Sequence, residues 1–200
     1  MKTIAKPYQS TIDIKKSKFI CRLYPAQNEM EAKEIISKIS EEFKDATHNC
    51  SAYLVSDGEG YDDDGEPGGT AGRPMLNVLK KNNLQNSVAV VTRYFGGIKL
   101  GAGGLVRAYS KSVLETLAVA EIVEMEAYEL FKVTFSYPDI KSIDNDIRSQ
   151  NLAVTDKEYD SLVRYTIATA NAQQINGFKE KYNDKIQVEC LGRRYLEKMD

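Results

Sequence analysis

The residues best suited to chemistry sit together in Thr92-Arg93-Tyr94-Phe95-Gly96-Gly97-Ile98-Lys99-Leu100-Gly101-Ala102-Gly103-Gly104-Leu105-Val106-Arg107. An apolar run, Val88-Ala89-Val90-Val91, ends there, Arg93 and Lys99 flank Gly96 and Gly97, and Gly101, Gly103 and Gly104 lead into a helix. The free N–H groups and positive dipole end of a helix start favour an anion. Arg107 and Lys111, one turn apart, carry the positive strip along one helical face. Tyr94 and Phe95 can stack on a base or fill core. This segment is the candidate anion- or nucleic-acid-binding site. The competing reading is structural: glycines that let a helix pack closely on a sheet, and solvated bases.

Known nucleotide motifs fail here. A P-loop would need GK[ST] beginning at Gly101, but Ala102 and Gly103 follow, and a dinucleotide fingerprint opening at Gly101 would need glycine where Val106 stands. The stretch Asp57 to Glu66, DGEGYDDDGE, has six acids and no base, enough oxygens for a hard cation but without EF-hand spacing. It reads as a solvated loop, as a cation site, or as a flap that folds over the basic loop and competes with an anionic partner. His48 and Cys50, two apart on a strand, share a face. A nucleophile–base pair is conceivable, but no orienting acid is identifiable. The better reading is a small apolar cysteine beside a hydrogen-bonded histidine. One histidine and scattered cysteines are too few for zinc. No catalytic set, metal site or cofactor site is expected.

The charge distribution sharpens the first reading. Net charge is −2, which excludes a histone-like polycation, yet Pro67 to Leu114 holds seven bases and no acid across 48 residues. Eleven of the thirteen glycines also lie between Gly58 and Gly104. The composition, 42% apolar and 28% charged, is that of a globular protein. No apolar run reaches a membrane span, and the N-terminal residues show no secretory h-region. Cys21, Cys50 and Cys190 form no CxxC and suit no disulfide scaffold, so a reduced, cytoplasmic setting is expected.

The elements that must position these residues fall into two sets, 1–127 and 128–200. In the first, Ile12 and Ile14, then Phe19, Cys21 and Leu23, alternate as strands do. Asn28 caps a helix through about Lys44, with Ile35, Ile36, Ile39 and Phe43 on one stripe. Cys50, Ala52 and Leu54 mark another strand, the Gly/Asp loop follows, and a short helix starts near Pro74. The run at 88–91 predicts a strand buried on both faces, followed by a helix ending near Ala120. In the second set the order is βαββαβ: strands at 131–135, 152–154, 163–167 and 186–190, helices from Pro138 and from Asn171. That is a ferredoxin-like pattern.

The segments His48-Asn49-Cys50-Ser51-Ala52-Tyr53, Asp63-Asp64-Gly65-Glu66-Pro67 with Gly69-Thr70-Ala71-Gly72-Arg73-Pro74, and Arg93-Tyr94-Phe95-Gly96-Gly97-Ile98-Lys99-Leu100-Gly101 together resemble the IMPACT/YigZ family. The resemblance covers essentially the whole chain. It implies an α+β protein of two domains. The N-terminal mixed α/β domain would be like the second domain of small-subunit ribosomal protein five. The C-terminal ferredoxin-like domain would be like the last domain of elongation factor G. Both folds recur in proteins that touch RNA or the ribosome. Eukaryotic relatives regulate translation initiation through an additional RWD domain, for which these 200 residues leave no room, so that partner is not carried over. The expectation is a non-enzymatic binding protein that meets RNA or a ribosome-associated surface through the basic glycine loop and modulates translation. The alternatives are a metal-dependent hydrolase or phosphotransfer enzyme, and a protein–protein adaptor.

Overall fold

The computed structural model describes residues 1–198. The chain divides into two compact units, one ending at Glu124 and one beginning at Met125.

The first unit contains β1 (Lys2–Ile4), β2 (Tyr8–Ile14), β3 (Ser17–Pro25), α1 (Glu29–Glu42), β4 (His48–Val55), β5 (Gly58–Asp62), α2 (Gly72–Lys81), β6 (Ser87–Tyr94) and α3 (Ala102–Val119). Its main sheet runs β2-β3-β6-β4-β5, with every neighbouring pair antiparallel. Side chains of β6 point alternately to opposite faces. Val88 and Val90 pack with Ala32 and Ile39 of α1, while Ala89 and Val91 pack with Met75 and Leu79 of α2 and Leu105, Tyr109 and Val113 of α3. The central strand is therefore greasy on both sides because helices cover both sides. Each fully buried valine contributes on the order of 1.5–3 kcal/mol.

The Asn28 side chain accepts the Glu31 N–H at 2.9 Å and starts α1 as its spacing predicts. Two strands lay hidden in the sequence, the short β1 and β5. The acidic stretch begins as β5, hairpinned onto β4 with Gly60 opposite Tyr53. A Cβ at Gly60 would sit 2.6 Å from the Tyr53 ring, so glycine is needed there for close approach rather than for a flexible loop.

The long strand β7 (Ile122–Phe135) pairs with β1 through its first three residues. Its remainder belongs to the second unit, with α4 (Ile140–Ser149), β8 (Ala153–Tyr159), β9 (Val163–Thr169), α5 (Gln173–Tyr182) and β10 (Ile186–Glu197). The strand order β10-β7-β9-β8 is that of a ferredoxin-like fold. Phe131, Val133, Phe135, Val163, Tyr165 and Ile167 pack under Ile143 and Ile147 of α4 and Ile175 and Phe178 of α5. The opposite face of the two central strands presents Lys132, Thr134, Arg164 and Thr166, none of them aromatic, and further along it Tyr128, Leu130 and Ala168 pack into a small buried cluster with Leu196.

Candidate functional site

The acidic stretch is spent inside the first unit. Asp63 does most: its Oδ1 accepts N–H groups from Ala71 at 3.0 Å and Gly72 at 2.8 Å, and its Oδ2 accepts from Gly69 at 2.6 Å. These bonds place a negative charge at the start of α2, which lacks a capping side chain of its own. Asp64 accepts the Asn49 N–H at 2.5 Å, and Asp62 accepts the Asp64 N–H at 2.8 Å. Asp57 accepts the first N–H of α1 from Glu29, and Glu59 pairs with Lys80 at 2.6 Å. The oxygens that looked like a cation shell in the sequence are distributed over two helix starts, a strand and a lysine. Among the described residues no three His, Cys, Asp or Glu converge as a metal cage.

Glu66 is the exception in kind, because it is buried with a cation. Its Oε1 accepts from Arg93 Nη1 at 2.6 Å and from the Tyr109 hydroxyl at 2.7 Å. The Glu66 and Arg93 side chains are only 3% and 6% exposed. His48 Nε2 lies 3.8 Å from Glu66 Oε2, and His48 Nδ1 lies 2.7 Å from the Asp64 carbonyl. A carbonyl only accepts, so Nδ1 carries a proton. Cys50 Sγ sits 3.0 Å from the Asp63 carbonyl and 3.3 Å from the Tyr109 hydroxyl. Burial pushes the Cys50 thiol and the Tyr109 phenol far above their ordinary pKa values, with nearby carboxylates adding to the shift. Cys50 is therefore a protonated packing residue, not a thiolate nucleophile. The cluster locks β4, β6, α3 and the acidic loop together.

The glycine loop stands on this base. Arg93 leaves β6 with its charge matched by Glu66, and its buried Nε has no hydrogen-bond partner. The Tyr94 hydroxyl donates to Asp45, and the Phe95 N–H donates to Thr47 at 3.0 Å while its ring stays 45% exposed. Gly96 is glycine for packing, because a Cβ there would run into the Lys16 carbonyl. Gly97 and Gly101 turn the chain with φ of 83° and 71°, values that favour glycine. Gly103 faces open space apart from the Arg107 side chain, and Gly104 lies close to Leu100. No side chain caps α3, and its first turn contains no acid. Leu105 makes the first bond back to Gly101, at 2.9 Å, so the N–H groups of Ala102, Gly103 and Gly104 lack helical partners.

The exposed cations here are Lys99, Arg107 and Lys111. Sequence reasoning missed two more. Lys15 and Lys16 form the tight β2–β3 turn with φ of 47° and 64°, and the Lys16 backbone abuts Gly96. The signal was present as a two-residue connection between alternating strands, although lysines are unusual at such φ values. Between the loops lies a concave space of about 420 Å³. Its walls come from His48, Glu66, Arg93, Phe95, Lys99 and the first turn of α3.

The Impact N-terminal domain family matches residues 15–117. The IMPACT family member YvyE of Bacillus subtilis is 41% identical over 203 residues, covering 98% of this chain and 93% of its own. The IMPACT family member YigZ of Escherichia coli is 32% identical, covering 90% of each. A crystal structure described as that of a hypothetical protein superposes with a TM-score of 0.67 at 29% identity, over 94% of this chain and 95% of the other.

Proposed function

The chain belongs to the IMPACT family, and on that premise we propose that its first unit is a non-catalytic binding module for RNA or a ribosome-associated RNA surface, acting in translation. One observation carries the reading. Every carboxylate from Asp57 to Glu66 has a hydrogen-bond or ion-pair partner within the first unit, while Lys99, Arg107 and Lys111 are exposed beside N–H groups that lack helical partners. Asp57, Glu59, Asp62 and Asp64 stay exposed, but their oxygens are engaged by backbone N–H groups and by Lys80, whereas the cations at Lys99, Arg107 and Lys111 have no carboxylate beside them in sequence. Phosphate oxygens suit both the side chains and the amides, and Phe95 with the exposed Ile98 offers a surface on which a base can lie.

The metal-dependent hydrolase loses its support from the same geometry, since Asp63 and Asp64 already accept backbone hydrogen bonds. The second unit is the weaker candidate for base stacking. Ferredoxin-like RNA-binding domains stack bases on exposed aromatic residues of the open sheet face, whereas here that face presents Lys132, Thr134, Arg164 and Thr166, and its aromatic on β7, Tyr128, is buried.

Ultraviolet crosslinking of bound single-stranded RNA, followed by peptide mapping, tests the assignment. Crosslinks are expected in the peptide that contains Tyr94 and Phe95. Crosslinks confined to residues beyond Met125 would overturn it.

A further inference from the structure

We infer that the concave space beneath the glycine loop holds the terminal phosphomonoester of an RNA strand, with its end nucleoside against Phe95. The inference rests on the proposed RNA-binding role of the same loop and adds to it which part of the strand is recognised.

Three features point to a strand end rather than to continuous backbone. The first is size. At about 420 Å³ the space is near the small end of ligand pockets, which run from roughly 300 to 1,000 Å³, and has room for one nucleotide rather than a strand passing through. The second is the chemistry of its walls. Lys99 stands at one side, and the uncapped first turn of α3 offers N–H groups that no side chain satisfies. His48 faces the space with Nδ1 already bound to the Asp64 carbonyl, which fixes the ring. Arg93 lies in the wall, its Nη1 held by Glu66 and its buried Nε without a partner. A terminal phosphate carries about −1.5 to −2 charges near neutral pH, against −1 for a diester. Lys99, the Arg93 guanidinium and the N–H groups of α3, set against the single Glu66 carboxylate that is already paired with Arg93, therefore favour the more highly charged end over the backbone. The third feature is the neighbouring apolar surface of Phe95, Leu100 and Leu105, which accepts a ribose or base edge. The open strip of Arg107 and Lys111 along α3 lies outside this space and provides for the following phosphates.

Two substitutions separate the pocket from the strip. Ala102→Glu puts a carboxylate at an exposed position in the first turn of α3, where an acid favours the helix, and sets a fixed anion among the donors. His48→Ala removes one wall without touching the exposed cations. The probe is one single-stranded RNA decamer prepared with a 5′-phosphate, with a 3′-phosphate, or with hydroxyls at both ends, measured by fluorescence anisotropy with an internal label. Wild type should bind one phosphorylated form roughly tenfold more tightly than the hydroxyl form, the effect of about one charge-assisted hydrogen bond. The form preferred identifies the end. In both variants that ratio should fall to about one, with Ala102→Glu melting near wild type and His48→Ala, which gives up the bond to the Asp64 carbonyl, melting lower but still folded by circular dichroism. A wild-type ratio of one with tight binding overturns the pocket and leaves the strip. Should no RNA bind, adenosine 5′- and 3′-monophosphates titrated against backbone amide NMR signals separate the two ideas. Shifts at Thr47 and Lys99–Leu105 would keep the pocket and discard the RNA-binding role, and no shifts would overturn both.

Discussion

Glu66→Gln removes one negative charge from the buried cluster while keeping its shape. Arg93 then stays in the interior with its cation unmatched, because Ser17 Oγ at 3.4 Å is its other side-chain acceptor. Removing one partner of a buried pair costs about 3–5 kcal/mol. Glutamine still offers a carbonyl to Arg93 and to the Tyr109 hydroxyl, so the lower end, about 3 kcal/mol, is expected. A domain of this size loses about 4 °C per kcal/mol, which predicts a fall of about 12 °C for the first unit. Circular dichroism melts give this directly. A double-mutant cycle with Arg93→Met isolates the pair. Replacing both charges leaves no orphan, so the double variant should be more stable than the sum of the single losses predicts, by at least about 1.5 kcal/mol. A melting temperature within about 2 °C of wild type for Glu66→Gln, or a cycle additive within about 0.5 kcal/mol, would refute the idea that this pair holds the acidic loop against the glycine loop.

The two glycine clusters should respond differently. Gly96→Ala should destabilise markedly, because the new methyl meets the Lys16 carbonyl. Gly103→Ala, whose Cβ would find only Arg107 Nη1 at 3.6 Å, should be neutral or stabilising by up to about 1 kcal/mol; urea denaturation ranks them, and equal losses would contradict the packing argument. Burial pushes the Cys21 thiol up to about 12 and raises Cys50 as well, while Cys190 is exposed. Ellman's reagent at pH 8 should therefore find one fast thiol in the folded protein and three after denaturation, and a second fast thiol would be inconsistent with the packing. In the second unit, a hydrogen bond from Arg164, aided by the Leu162 N–H, holds the Asp160 carboxyl down to about 2. Its folded value is depressed, so its stabilising contribution is present above the ordinary aspartate range near pH 4 and is lost as pH falls from there toward 2. A carbon-detected NMR titration should give a midpoint near 2, and one near 4 would remove the contribution.

Local features were legible and distant ones were not. Asn28 before an apolar stripe marked α1, the run at 88–91 marked a strand covered on both faces, and the second unit's alternation spelled its fold. Each of these depends on neighbours a few residues away. The acidic stretch could not be read in that manner. Asp63 serves a helix start eight and nine residues onward, and Glu66 meets Arg93 across 27 residues and Tyr109 across 43. Only the fold brings them together. Gly60 and Gly96 mimicked flexible loop glycines although each is fixed by a neighbour, Tyr53 in one case and Lys16 in the other. Lys15 and Lys16 escaped notice as members of the basic surface because they lie about eighty residues before Gly96. The sequence showed which segment was positive; the pairing of its opposing acids had to come from the structure.

RNA affinity measured as a function of salt concentration bears most directly on the basic surface. If Lys15, Lys16, Lys99, Arg107 and Lys111 each neutralise one phosphate of a single strand, the slope of log K against log salt should be roughly −3.5, at about −0.7 per contact. Changing Lys99, Arg107 and Lys111 together to glutamine should leave a slope of roughly −1.5, with affinity falling alike for unrelated sequences and the melting temperature unchanged. A triple variant that binds RNA with wild-type affinity and wild-type slope would show that the glycine loop and its cations are structural, and that RNA is not held there.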